Sequence, residues 1–167
     1  NKTITLVGSA NTTVTSPTDD ADTEQQRITT AIRIPSGSAA SPRIQRLNLS
    51  GFGSGIVADD TEGDWSVLNV KITESRTGIS AVNTSGKWDV RETQVSQADH
   101  GLYVSDTSER WTVDGSTFTQ NEQAITVIDT QTEWTITDSQ FTRNTGSGVV
   151  VSTDSDWSLS RSHFQDN

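Results

Sequence analysis

The sequence has no cysteine and no methionine, and only three lysines, three prolines and one tyrosine among its 167 residues. Without cysteine there is no disulfide scaffold, no zinc held on thiolates and no cysteine nucleophile. Long apolar runs are missing as well. No stretch approaches the roughly 18 residues that a membrane-spanning helix needs, and no secretory leader is visible. Hydrophobic residues make up 30% of the chain, so a conventional globular core would be thin. Positive charge is scarce, with 12 Lys and Arg against 22 Asp and Glu and a formal net charge of −10. Such a surface repels nucleic acid and anionic lipid, and favours cations or neutral surfaces as partners. Acidic residues with so few lysines also resemble the surfaces of salt-adapted proteins. The chain opens on Asn1, which suggests a processed or excised piece. Asn-x-Ser/Thr triplets at Asn1, Asn11, Asn48 and Asn83 are glycosylation candidates and lean towards secretion.

Against these absences stand five tryptophans, at Trp65, Trp88, Trp111, Trp134 and Trp157, each 23 residues after the last. Two positions on come Val67, Val90, Val113, Ile136 and Leu159. Seven on come Ile72, Val95, Phe118, Phe141 and Phe164. Later in each unit Gly78-Ile79-x-Ala81, Gly101-Leu102-x-Val104 and Ala124-Ile125-x-Val127 align. Gly148-Val149-x-Val151 follows one residue late, and the next Trp is back in step. A further column reads Thr61, Thr84, Thr107, Thr130 and Thr153.

A fixed period between 20 and 50 residues marks a solenoid, propeller or array. Within each unit the apolar spacing is two, the period of a strand, in three short runs. Propeller blades need about 40 residues, and leucine-rich repeats a Leu/Asn ladder that is absent. The pattern therefore predicts an all-β, right-handed parallel β-helix with three short strands per 23-residue coil. Equivalent residues would stack about 4.8 Å apart. The register extends back to a coil with Pro42 in the Trp column. Before it, Ile4–Val7 and Ile28–Ile34 read as strands, and residues 16–26 as a polar loop or short capping helix. The expected division is a cap with irregular first coils over 1–41 and regular coils over 42–167. The coils are expected to continue past Asn167, or to meet a partner there.

The unit, with Trp-x-Val, then Ser-x-Phe-x-x-Asn, then Gly-Ile-x-Val, resembles the repeat of the pectate-lyase-like superfamily. It is most similar to periplasmic and cell-surface β-helix proteins grouped as carbohydrate-binding proteins and sugar hydrolases. Tryptophan departs from the small polar residue usual in its column. The resemblance implies the fold and leaves function open, since such coils serve lyases, epimerases, tailspikes, adhesins and copper-chaperone relatives alike.

Several residues could carry chemistry. The Trp column reads as a structural stack, or as an aromatic stripe under a sugar chain. Arg91, Glu92, Asp114 and Asp138 lie in neighbouring columns, where two carboxylates could act as acid and base or form a solvated corner. Asp60, Asn83, Asp106 and Asp129 offer stacked oxygens suited to Ca²⁺, or a salt-adapted edge. His100 and His163 fall in different columns and do not converge on a copper or zinc site. Lys87 beside Asp64 and Arg110 beside Glu133 read as a salt-bridge ladder. The Ser66, Asp89, Thr112, Thr135, Ser158 column is too interrupted for an ice-binding lattice. The favoured expectation is an extracellular, non-catalytic module for adhesion, surface coat or glycan binding. A polysaccharide lyase or hydrolase, and a viral fibre or spike on a virion surface, are the alternatives. No loop interrupts the spacing between Trp65 and Trp157 to wall a catalytic cleft, which favours the rod.

Overall fold

The computed structural model describes residues 5–7, 13–15, 30–37 and 41–167. These form a parallel β-helix of six three-strand coils and part of a seventh. The first coil contributes β1 (Thr5–Val7), β2 (Thr13–Thr15) and β3 (Thr30–Arg33). The second has β4 (Arg43–Gln45), β5 (Asn48–Ser50) and β6 (Ser54–Val57). The third has β7 (Trp65–Leu68), β8 (Lys71–Thr73) and β9 (Thr77–Val82). Then follow β10 (Trp88–Arg91), β11 (Gln94–Ser96) and β12 (His100–Ser105), and β13 (Trp111–Asp114), β14 (Thr117–Thr119) and β15 (Gln123–Ile128). The sixth coil is β16 (Trp134–Thr137), β17 (Gln140–Thr142) and β18 (Ser147–Ser152); β19 (Trp157–Ser160) and β20 (His163–Gln165) come last.

Every third strand pairs in parallel, giving one sheet of β1-β4-β7-β10-β13-β16-β19, a second of β2-β5-β8-β11-β14-β17-β20 and a third from β3 to β18. The register is the 23-residue register of the sequence, with Trp88 opposite Trp65 and Trp111, and Val95 opposite Ile72 and Phe118. In the third sheet Ile125 pairs with Val149, 24 residues on, which accommodates the displaced Gly-Val-x-Val run. The capping role expected of residues 1–41 lies largely outside the described residues. The strands β1, β2 and β3 do add one coil below β4, β5 and β6. Thr13–Thr15 carries no periodic signal, and its strand is not apparent from sequence.

The interior is a set of columns. Trp65, Trp88, Trp111 and Trp134 are at most 3% exposed, and successive indoles stack at 4.7 to 4.8 Å within 8° of parallel. Their indole N–H groups make no hydrogen bond, a local cost accepted for the stack. Polar columns close the corners. The hydroxyls of Thr93, Ser116, Ser139 and Ser162 each accept the backbone N–H of the coil before, at 3.2 to 3.4 Å. Each also donates to the carbonyl two residues upstream. Asn121, Asn144 and Asn167 repeat a second device, in which Oδ1 accepts a backbone N–H from the coil before and Nδ2 donates to a carbonyl there. Buried backbone at the bends is thereby satisfied without water. The Thr column is less complete, since Thr84 and Thr107 hydroxyls are buried without a partner.

Each coil turns at left-handed residues. Arg46, Asn69, Glu92, Gly115, Asp138 and Arg161 form one such column, with φ between +48° and +57°. Gly51, Glu74, Gln97, Gln120, Arg143 and Asp166 form another, and Gly37, Asp60, Asn83, Asp106 and Asp129 a third. The Gly of Gly-Ile-x-Val has a different cause. A Cβ on Gly78 or Gly101 would meet the next coil's carbonyl at 2.4 or 2.5 Å.

Candidate functional site

Alternation fixes what each strand offers outside. On β10, Trp88 and Val90 are buried, so Asp89 and Arg91 face outward; β7 and β13 repeat the pattern. The outer face of the first sheet therefore carries Arg43, Ser66, Asp89 and Thr112 in one column, with Leu68, Arg91 and Asp114 beside it.

On this face Arg91 stands opposite Asp114 on adjacent strands, and Glu92 and Asp138 occupy left-handed corner positions beside them. All four catalytic candidates thus share one edge. Most are already engaged. Arg91 Nε lies 3.2 Å from Asp89 Oδ2. Asp114 Oδ1 accepts from the Thr137 hydroxyl at 2.7 Å. Arg161 grips Asp138 with Nε at 2.8 Å and Nη2 at 2.7 Å. That hydrogen-bonded fork holds the Asp138 carboxyl below the usual carboxylate range, the wrong direction for a general acid near neutral pH. Asp89 behaves oppositely. Burial pushes its carboxyl up, against the pull of Arg91 and Arg43.

Asp60, Asn83, Asp106 and Asp129 form the left-handed corner before the Trp strand, and this supplies a conformational reason for the column, since Asn and Asp tolerate that region best after glycine. Asn83 Nδ2 donates to Asp60 Oδ1 at 2.7 Å, and Asp106 accepts from the Ser105 hydroxyl. Among the described residues no three His, Cys, Asp or Glu side chains gather as a metal site, so the stacked oxygens do not assemble a calcium cage. Of the glycosylation candidates, Asn83 is exposed at its corner and Asn48 is partly buried on β5. Asn1 and Asn11 lie outside the described residues.

Column-by-column reading misses a cleft of about 430 Å³ on the same face, running across β4, β7, β10 and β13. Arg43, Asp64, Lys87, Asp89, Arg91 and Arg110 are its charged residues. The predicted pairing of Arg110 with Glu133 is present. Lys87 differs: Asp64 Oδ1 accepts its backbone N–H at 2.9 Å, and the ammonium makes no ion pair among the described residues. The signal was in the sequence, but only when three outward columns are read together.

Over residues 36–167 the chain matches the family described as periplasmic copper-binding protein (NosD). No curated protein and no solved structure matches it. The family's location agrees with the expectation of a place outside the cytoplasm, and its β-helix with the pectate-lyase-like resemblance. The copper in the description does not fit the donors present. Copper(I) prefers thiolate and thioether ligands, and the chain has neither cysteine nor methionine. His100 is on β12 with Nδ1 3.3 Å from the Thr126 hydroxyl, while His163 is on β20 in another sheet. With most of its length matched, this chain belongs to the NosD family, as a β-helix in which no copper donor set gathers among the described residues.

Proposed function

We propose that this chain is a non-catalytic module of the cell envelope, a stiff rod whose outer faces bind linear glycan. The observation that carries the reading is the uninterrupted coil. From β7 to β19 the strands are joined by short corners, and no inserted loop rises to wall off a pocket. Catalysis on a sugar requires groups held around it and water excluded, whereas a shallow ladder offers repeated weak contacts. The engagement of Asp114 and Asp138 by Thr137 and Arg161 supports the same reading. Membership of a family described as periplasmic supports the location.

Contacts repeated once per coil make affinity grow with ligand length. Titrating the protein with a saccharide series from dimer to polymer tests this. Affinity should climb steadily from dimer to hexamer. A dimer that binds as tightly as the polymer, or no binding by any saccharide, would overturn the proposal.

A further inference from the structure

The cleft across β4, β7, β10 and β13 has a charge opposite to that of the molecule. Four cations, Arg43, Lys87, Arg91 and Arg110, face two carboxylates, Asp64 and Asp89, in a chain of net charge −10. Several of these charges are not free. Asp89 is paired with Arg91 and Arg110 with Glu133, while Asp64 accepts a backbone N–H and keeps its negative charge. Arg43 and Lys87 remain. Both are exposed and neither has an ion-pair partner within 4 Å among the described residues; Lys87 immediately precedes β10, the strand of Asp89, and Arg43 lies on β4, two coils before it.

We propose that this cleft is a subsite for an anionic saccharide, one bearing a carboxylate or sulfate on its sugars, lying along the axis of the coils. The inference deepens the glycan-binding reading and rests on it. Four coils span about 14 Å at the strand spacing, room for a short run of sugars parallel to the axis. Arg43 supplies a planar fork suited to a carboxylate or sulfate, and Lys87 a second, mobile cation two coils along. The Ser66 hydroxyl on the coil between them, Asp89 on the coil of Lys87 and the Thr112 hydroxyl one coil further are placed to accept from or donate to sugar hydroxyls along the cleft. The acidic remainder of the surface is screened beyond roughly 8 Å at physiological salt, so the cations in contact decide the preference.

Three hexasaccharides separate the possibilities in calorimetric titrations of the full chain: hexagalacturonate, a sulfated hexamer and neutral maltohexaose. At least one anionic hexamer should bind about tenfold tighter than the neutral one. The double variant Arg43→Gln/Lys87→Gln should lose about tenfold or more of that affinity, as expected for two charge-assisted hydrogen bonds. Lys71→Gln, on the β8 face, should lose none. Which anionic hexamer responds identifies the charged group. Both variants replace exposed side chains, and unchanged melting confirms that they are folded. Equal binding of the neutral hexamer, or anionic binding indifferent to the double variant, would remove the subsite and leave the glycan reading standing. Failure of all three hexamers and of their polymers would remove the glycan reading itself.

Discussion

Trp111 lies between Trp88 and Trp134 at 4.8 Å on either side and is fully buried, whereas among the described residues Trp157 stacks on Trp134 alone and is 50% exposed. The same residue type in one column should therefore carry different weight. Trp111→Ala removes a side chain with rings above and below and leaves a cavity that rigid coils cannot fill, at a cost of roughly 3–5 kcal/mol. Trp157→Ala should cost about 1–2 kcal/mol, because half of its surface is already in water. Denaturant unfolding of the two variants checks the contrast, and equal losses would contradict the stack as described. Asp89 makes a pH-dependent prediction. Its folded carboxyl titrates above the ordinary range because of burial, so its ionisation opposes folding. Stability linked to this group is fully present below the unfolded carboxylate range and is lost as pH rises through the raised folded value. Asp89→Asn should thus gain stability at neutral pH relative to the parent, and the gain should vanish in acid. Melting curves across that range read it directly.

At the scale of strands and corners, much of the structure is legible because two periods coincide in the sequence. The spacing of two assigns inward and outward positions, and the spacing of 23 assigns the neighbour in the next coil; together they define β7 to β20. The corners are less legible. The column Arg46, Asn69, Glu92, Gly115, Asp138, Arg161 is uniformly left-handed, yet only Asn69, Gly115 and Asp138 are of types that favour that conformation. Packing of the coils imposes it. Glu92, read from sequence as a candidate catalytic carboxylate, occupies this column for a reason that its residue type does not display, whereas Asp138 is of a type that favours it. Replacing Glu92 by glycine should relieve the Cβ conflict and raise stability by up to about 1 kcal/mol, while Glu92→Val should lower it. Thermal unfolding of the pair decides whether the corner or the carboxylate matters there. The glycines of the third sheet behave differently, since their restriction comes from a neighbour. Gly101→Ala sets a methyl against the Ala124 carbonyl at 2.5 Å and Phe118 Cδ1 at 2.8 Å, and should cost about 1–3 kcal/mol.

On the scale of the whole molecule, a net charge of −10 on a rod of stacked coils places like charges along the same edges. Monovalent salt should raise the melting temperature by screening that repulsion. Millimolar Ca²⁺ at matched ionic strength should add nothing further, because Asp60, Asn83, Asp106 and Asp129 stand one per coil and do not enclose an ion. An additional rise with Ca²⁺, lost in Asp106→Ala, would restore a site to that column. The cleft on the first sheet is where sequence reading stopped short. Its cations come from three columns and three coils, so their convergence is a property of the coil and of no single column. In the proposed function these uninterrupted faces hold a sugar chain without acting on it. The most direct measurement is product analysis after prolonged incubation of the protein with polyuronate, pectin and neutral polysaccharide, scoring new reducing ends and unsaturated sugars. None should appear above the level of a heat-inactivated sample. Turnover that disappears in Asp114→Ala or Asp138→Ala would contradict it and make this face an active site.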